Sequence, residues 1–151
     1  MTDESPHESL RTDPSLGPLV AAHGPVELTP ADDFFERFVV SICRQQVSMA
    51  AAEAVEERLF DAVAVTPRGV LDADHETLRN AGLSRRKTDD VQNVARAFEE
   101  RGYSREHFAG MDDAAVVDEL TSITGVGTWT AKMQLLFSLG RPDVFPVEDL
   151  G

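Results

Sequence analysis

The chain has 151 residues, 42% of them hydrophobic, and its 27 acidic residues against 14 lysines and arginines give a formal net charge of −13. This length suffices for one modest core or for two small lobes that share a cleft. No apolar run is long enough to span a membrane, and the polar, acidic N-terminus does not resemble a secretory signal. The single cysteine, Cys43, excludes an internal disulfide and a cysteine-built metal site. We therefore expect a cytoplasmic protein without bound metal, monovalent ions excepted.

The first 27 residues contain four prolines and two glycines. This composition indicates an irregular, acidic lead with one short helical turn near Leu16 to His23. Residues 28–151 form the second unit. The stretch Thr29-Pro30-Ala31-Asp32 is typical of a helix start, with threonine as N-cap and proline in the first helical position. Five apolar residues at helical spacing then predict its buried face: Phe34, Phe35, Phe38, Val39 and Ile42.

Capping residues predict the helices that follow. Further helix starts are indicated at Ser48, Thr66, Asp74, Ser84, and Asp112 or Asp113. Glycines that end helices lie at Gly82, Gly102 and Gly140. No stretch alternates apolar and polar residues long enough to indicate a strand, so the sequence predicts an all-α fold.

Two of these helices meet at the short turn Gly125-Val126-Gly127. Glycine has access to backbone angles closed to other residues and lets a ligand approach the main chain. Thr128 is the predicted N-cap of the second helix, whose free N–H groups would face outward with those of the turn. Such a concavity binds anions, and a nucleic-acid phosphate is the obvious candidate.

The hairpin belongs to a longer pattern, L-x-x-I-x-G-V-G-x-W-T-A, which begins at Leu120 and is followed by P-V-E-D at residues 146–149. This pattern resembles the helix-hairpin-helix (HhH-GPD) base-excision DNA glycosylases, in particular the 3-methyladenine DNA glycosylase II branch. The segments ICRQQVSMAA and AGLSRRKTDDVQNVA also resemble that family, so the resemblance covers roughly Leu28 to Gly151. It implies a helical glycosylase fold and, as partner, double-stranded DNA that contains a damaged base.

The resemblance places the catalytic role on Asp149, the second acid of the P-V-E-D stretch, rather than on its neighbour Glu148. Cleavage of an N-glycosidic bond develops positive charge on the deoxyribose, which a carboxylate beside the sugar stabilises. The alternative for Asp149 is a solvated acid or a helix cap in an acidic chain. The four histidines are dispersed without metal-ligand spacing, and we expect structural or exposed roles for them.

Trp129 occupies the position where bifunctional glycosylase-lyases of this superfamily carry a nucleophilic lysine, which implies a monofunctional enzyme. The indole offers a face to a flipped, positively charged base, although it is alternatively a core residue. Met133, one turn later, either lines this pocket or belongs to the helix core. We interpret Lys132 as a cation that faces solvent or a phosphate.

The resemblance also assigns Gln46 as the wedge that enters the base stack, with Gln45 near base edges; the alternative is two polar residues on an exposed helix. It implies a sodium or potassium ion on the main-chain carbonyls of Thr121, Ile123 and Val126. The predicted DNA-binding residues are Gln45, Gln46, Gly125, Val126, Gly127, Thr128 and Lys132.

The net negative charge is unusual for a protein that binds DNA. However, the 23 residues between Glu119 and Asp143 contain no carboxylate, and neither does the window from Arg37 to Ala52. These windows coincide with the segments that resemble DNA-facing elements, although buried helices would explain them equally well. The abundance of surface acids is also typical of proteins adapted to high salt.

The sequence therefore predicts a monomeric, monofunctional glycosylase that removes alkylated purines such as 3-methyladenine. Two alternatives remain: a non-catalytic helix-hairpin-helix DNA-binding module, and a glycosylase for another damaged base. The family continues past the aspartate with further helices, so we expect the glycosylase domain to be incomplete at its C-terminus. An incomplete cleft would expose apolar helix faces and weaken both DNA binding and turnover.

Overall fold

We analysed a computed structural model of the chain, which describes residues 5–149. Within that range the secondary structure is entirely helical, which confirms the all-α prediction. The helices are α1 (Pro6–Arg11), α2 (Gly17–His23), α3 (Phe34–Cys43), α4 (Met49–Ala62), α5 (Pro67–Asp72), α6 (His75–Asn80), α7 (Arg85–Arg101), α8 (Arg105–Phe108), α9 (Asp113–Thr121) and α10 (Thr128–Phe137). No helix in residues 5–149 is long and apolar enough to cross a membrane.

The core forms where α3 packs against α7 and α10. Aromatic side chains fill its centre: the Phe98 ring lies 5.1 Å from Phe34 and 6.0 Å from Phe38, both edge to face or nearly so. The predicted apolar face of α3 is buried throughout. Helices α5 and α6 cover the other side of α7, and α9 packs on α10. Helix α10 therefore packs on α3, which is distant in sequence, and on α9, its neighbour across the hairpin.

Side-chain caps begin most of the helices at the predicted residues. Each of the following accepts a hydrogen bond from the backbone N–H three residues later: Ser48, Thr66, Asp74, Ser84 and Asp112. Such caps satisfy one of the N–H groups that a helix start leaves without an intrahelical partner. Gly102 ends α7 in the left-handed conformation.

The start of α3 was predicted four residues too early. The helix begins at Phe34, and Asp33 is its N-cap, with Oδ1 accepting from Glu36 N at 2.9 Å. Thr29 and Asp33 are both local cap candidates, and the helix uses the second. The chain before it is tied to the end of α10, where Ala31 N donates to the Phe137 carbonyl at 2.7 Å.

The prediction that residues 1–27 are mostly irregular was wrong for the part that the structure describes. The expected turn near Leu16 is the helix α2, and α1 precedes it. A reciprocal capping box explains α1: Ser5 Oγ accepts from Glu8 N, while Glu8 accepts from Ser5 N. The two helices pack on each other and bury almost no side chain.

Candidate active site

The hairpin between α9 and α10 is tight because of Gly125. Its φ of 93° lies in the left-handed region, and a Cβ at this position would collide with the carboxylate of Asp90 on α7. Val126 is buried beneath the turn, and its N–H donates to the Ile123 carbonyl at 3.0 Å. The hairpin is therefore seated directly on α7.

Two details of the hairpin correct the sequence interpretation. Gly127, not Thr128, is the N-cap of α10, and Thr128 is the first helical residue. Gly127 has a φ of −93°, which other residues also adopt, and a Cβ there would meet no atom within 4 Å. No side chain in the described part of the chain caps α10, and both Gly127 and Thr128 are exposed. The first N–H groups of α10 consequently face outward at the positive end of the helix dipole.

Trp129 lies in the first turn of α10 and is half-buried, whereas Met133, one turn later, is 6% exposed. Trp129 is not among the buried core residues, so part of its indole is accessible beside the hairpin. The burial of Met133 agrees with the helix-core interpretation of that residue.

The segment after α10 returns to that helix. Arg141 anchors its beginning: the guanidinium donates to Asp113 Oδ1 at 2.8 Å and to the carbonyls of Phe108 and Met111 at 2.9 Å each. At its end a turn closes where Asp149 N donates to the Pro146 carbonyl at 3.0 Å. The segment is therefore held at both ends.

Both acids of this turn, Glu148 and Asp149, are exposed. Glu148 accepts from Lys132 Nζ at 3.0 Å on both carboxylate oxygens, and this hydrogen bonding lowers the pKa of Glu148. In this structure Lys132 thus pairs with a carboxylate and ties the turn to α10, and its predicted contact with a phosphate stays a prediction.

The predicted wedge lies in the turn between α3 and α4. Gln46 is exposed there with a φ of 56°, and it is the one non-glycine residue of the range 5–149 with a positive φ. Gln45 turns inward, and its Nε2 donates to Thr130 Oγ1 on α10 at 2.6 Å. The fold therefore brings the wedge turn and the hairpin helix together, although 85 residues separate Gln45 from Thr130.

Sequence reasoning missed two sets of residues at this junction. A buried polar seam joins α3 to α10, in which Gln134 Nε2 donates to Ser41 Oγ at 3.0 Å and Ser138 Oγ donates to Gln134 Oε1 at 2.8 Å. Lys87 of α7 donates to the carbonyls of Cys43 and Gln45 at 3.1 and 2.7 Å. The four-residue spacing of Thr130, Gln134 and Ser138 was a visible signal, whereas nothing in the sequence pairs Lys87 with residues 43–45.

No cluster of histidine, cysteine, aspartate or glutamate that suits a metal occurs in residues 5–149. The hairpin carbonyls offer a different kind of site. The carbonyls of Thr121, Ile123 and Val126 lie at the end of α9 and in the loop that follows, where helix carbonyls lack intrahelical partners. Ile123 O accepts from Val126 N and keeps a second lone pair. A monovalent cation on these three oxygens stays a prediction.

Comparison with known proteins identifies the family to which this geometry belongs. Residues 39–151 match the HhH-GPD superfamily of base excision DNA repair proteins. The chain belongs to that superfamily. The matched HhH-GPD region runs from the wedge turn through the hairpin to the Asp149 turn, so it includes every residue predicted for the site.

Individual relatives agree with this assignment. The HhH-GPD chain is 31% identical to DNA-3-methyladenine glycosylase 1 of Schizosaccharomyces pombe over 138 residues, which are 87% of the chain and 60% of that protein. It is 32% identical to DNA-3-methyladenine glycosylase of Saccharomyces cerevisiae in a gapped alignment of 163 positions that covers 94% of the chain and 54% of that protein. The chain spans 51–65% of the length of the curated relatives it matches.

Solved structures show the same fold. The S. pombe 3-methyladenine DNA glycosylase in complex with abasic DNA superposes with a TM-score of 0.84 at 29% identity, covering 95% of this HhH-GPD chain and 74% of that one. DNA-3-methyladenine glycosidase from Bacillus halodurans gives a TM-score of 0.81 at 33% identity, covering 98% and 70%. The helical arrangement described above is therefore that of a glycosylase.

Proposed function

We propose that the protein is a monofunctional DNA glycosylase that removes alkylated purines, such as 3-methyladenine, from double-stranded DNA. The observation that carries this proposal is the placement of Asp149: the Lys132–Glu148 ion pair holds its turn against the helix whose start forms the hairpin. The relatives named above, one of which binds abasic DNA, support the same activity. We further propose that the protein acts as a monomer in the cytoplasm, and that its acidic surface is an adaptation to high salt.

Binding would begin at the hairpin. The outward N–H groups at the start of α10 would donate to a backbone phosphate, and Gly127 leaves the approach open because it has no side chain. A sodium or potassium ion on the carbonyls of residues 121, 123 and 126 would add positive charge beside the same phosphate. Gln46 would enter the gap that the flipped nucleotide leaves in the stack, which offsets part of an unstacking cost of a few kcal/mol.

The flipped base would then lie against Trp129. An N-alkylated purine carries positive charge, and a cation over an indole gains roughly 0.5 to 2 kcal/mol. This contact favours charged, alkylated bases over normal ones. No lysine occupies the position of Trp129, so the mechanism needs no covalent Schiff base there.

Asp149 would act on the sugar. The bond between the base nitrogen and C1′ breaks, and its electron pair leaves with the alkylated base, which departs uncharged. The positive charge that develops on the deoxyribose is stabilised by the Asp149 carboxylate. Water then attacks C1′, its proton passes to the carboxylate and on to solvent, and an abasic site remains.

The test is release of 3-methyladenine and 7-methylguanine from methylated duplex DNA at high salt. We expect release by the wild-type chain and loss of at least about 100-fold in Asp149→Asn, since the variant keeps the shape but not the charge. Asp143→Asn, which neutralises an exposed acid earlier in the same segment, is the matched control and should retain most of the activity. Release that survives in Asp149→Asn would contradict the residue assignment, and covalent trapping by borohydride would contradict the monofunctional mechanism.

The proposed activity has one rival that the structure also supports. The hairpin is complete as a DNA-binding element, so a non-catalytic binding module would share all of its features. Duplex binding by the wild-type chain without release of any alkylated base would favour that rival. Release of a deaminated or oxidised base instead would keep the enzyme class and change the substrate.

A further inference from the structure

The turn between α3 and α4 adopts a conformation that it would not hold by itself. Gln46 lies in the left-handed region with a φ of 56°. This conformation is unfavourable for a residue with a Cβ. Its side chain is exposed, as are those of Val47 and Met49 on either side of Ser48, so burial of this turn does not stabilise it. The surrounding helices must therefore hold it.

Three helices supply that support. Arg44 Nε pairs with Glu56 of α4 at 2.8 Å, and Gln45 Nε2 donates to Thr130 of α10 at 2.6 Å. From α7, Lys87 Nζ donates to the carbonyls of Cys43 and Gln45. The Lys87 contacts differ from the other two because they hold the main chain itself, on the peptide immediately before Gln46.

Lys87 is placed in a way that helix stability does not explain. It lies in the first turn of α7, where the positive end of the helix dipole disfavours a cation. The ammonium of Lys87 is partly removed from water, and this burial lowers the pKa of Lys87 from its usual value. Cys43 opposes the shift. The ammonium instead interacts favourably with the C-terminal end of α3. The last carbonyls of that helix have no intrahelical partners and attract a cation.

We propose that Lys87 is a positioning residue for strand penetration: by binding the carbonyls of Cys43 and Gln45 it fixes the turn so that Gln46 points into the DNA base stack. This inference rests on the proposed function only in its assignment of Gln46 as the wedge. Its physical basis is preorganisation. The turn already has its left-handed conformation in the free protein, so the conformational free energy does not reduce the affinity for DNA during binding. Lys87 itself touches neither the damaged base nor the sugar.

The test separates opening of the stack from chemistry. In one assay, fluorescence of 2-aminopurine beside the lesion reports stack opening by Asp149→Asn, which binds without turnover, alone and combined with Lys87→Met. In the other, release is measured from an ordinary duplex and from a duplex in which the damaged base already lies in a single-nucleotide bulge. Lys87→Met keeps a side chain of similar length without the charge, Lys87→Arg restores a donor, and Arg68→Met on α5 is the control for loss of a surface cation.

We expect Lys87→Met to lower both the fluorescence change and release from the ordinary duplex by about tenfold, because small misplacements of a preorganised group have effects of this size. Release from the bulged duplex should fall by less than about threefold, and Lys87→Arg should recover part of the loss. Equal losses on the two duplexes, or unchanged fluorescence, would overturn the proposal. The fluorescence assay does not require turnover, so absence of release in the wild-type chain would refute the proposed function while still deciding the role of Lys87.

Discussion

Asp90 is an acidic residue in a buried environment. It is 4% exposed, its Oδ2 has no hydrogen-bond partner among the described residues, and the guanidinium of Arg86 lies 3.9 Å away. Burial raises the pKa of Asp90 above its usual value; Arg86 opposes this shift and Asp89 adds to it. The carboxylate is also the group that Gly125 packs against, so its ionisation affects the seat of the hairpin.

The raised pKa gives a prediction for stability. The folded state holds the Asp90 proton more tightly than the unfolded state, so the stability that this group contributes is present at acid pH and is lost as the pH rises through the raised value. Asp90→Asn removes the buried charge and should raise the free energy of unfolding at pH 7 by about 1 kcal/mol, with the difference vanishing at acid pH. Urea denaturation across that pH range measures it. The exposed neighbour Asp89→Asn should change little, and a D90N variant that is less stable at neutral pH would contradict the argument.

At the scale of the element, the two glycines of the hairpin have different physical roles. Gly125 needs its left-handed φ of 93° and has no room for a Cβ, whereas Gly127 has an ordinary φ and open space beside it. Glycine is therefore required for folding at position 125, whereas at position 127 it leaves space for a ligand to approach.

This difference predicts opposite outcomes for two alanine substitutions. Gly125→Ala should destabilise the fold by at least about 1–2 kcal/mol, through the positive φ and the collision with Asp90. Gly127→Ala should destabilise the fold by less than about 1 kcal/mol, the cost of alanine at an N-cap. It should weaken duplex binding, because its methyl group would lie where a phosphate approaches the N–H groups of α10. Thermal unfolding and binding anisotropy of the two variants test this. Destabilisation by Gly127→Ala with binding unchanged would show that the turn does not face DNA.

Elements with local signals were predictable, and those set by distant contacts were not. The caps at Ser84 and Asp112 hold because a side chain satisfies an N–H three residues away, which is a property of the sequence alone. Two local caps, Thr29 and Asp33, compete for the start of α3, and the helix begins after the second, next to the hydrogen bond that joins Ala31 to Phe137. The N-cap of α10 was misplaced by one residue because glycine, with no side-chain oxygen, ends the hairpin loop.

At the scale of the whole molecule, the distinction between local sequence signals and distant contacts also applies to the candidate site. The hairpin and the P-V-E-D turn are contiguous in sequence and carry the family pattern, so they were visible from it. The contacts that assemble them are not contiguous: 85 residues separate Gln45 from Thr130, 42 separate Lys87 from Gln45, and 16 separate Lys132 from Glu148. The Lys132–Glu148 pair was not visible from the sequence for this reason.

The distribution of charge answers the objection raised by the acidic composition. An open cleft beside the hairpin is lined by the side chains of Arg85, Arg86, Arg96 and Thr124, together with Asp89 and Asp90. Within the described range, Arg85 and Arg96 form no ion pair with a carboxylate, whereas Arg44, Arg141 and Lys132 each do. Two cations next to the hairpin that we propose binds phosphate therefore remain available to a polyanion, although the chain carries a net charge of −13.

These two arginines should control how salt affects binding. Neutralising one phosphate contact lowers the slope of log K against log salt by about 1 and weakens binding of all sequences alike. We therefore expect Arg85→Ala and Arg96→Ala each to reduce the slope by about one unit and to weaken damaged and undamaged duplexes equally. Arg68→Ala is the control, since Arg68 lies on α5 and pairs with Asp72 at 3.5 Å. An unchanged slope in both variants would show that DNA does not contact the arginines of this cleft. The hairpin N–H groups, whose dipolar contacts depend less on salt, would then be the main contact with DNA in concentrated salt.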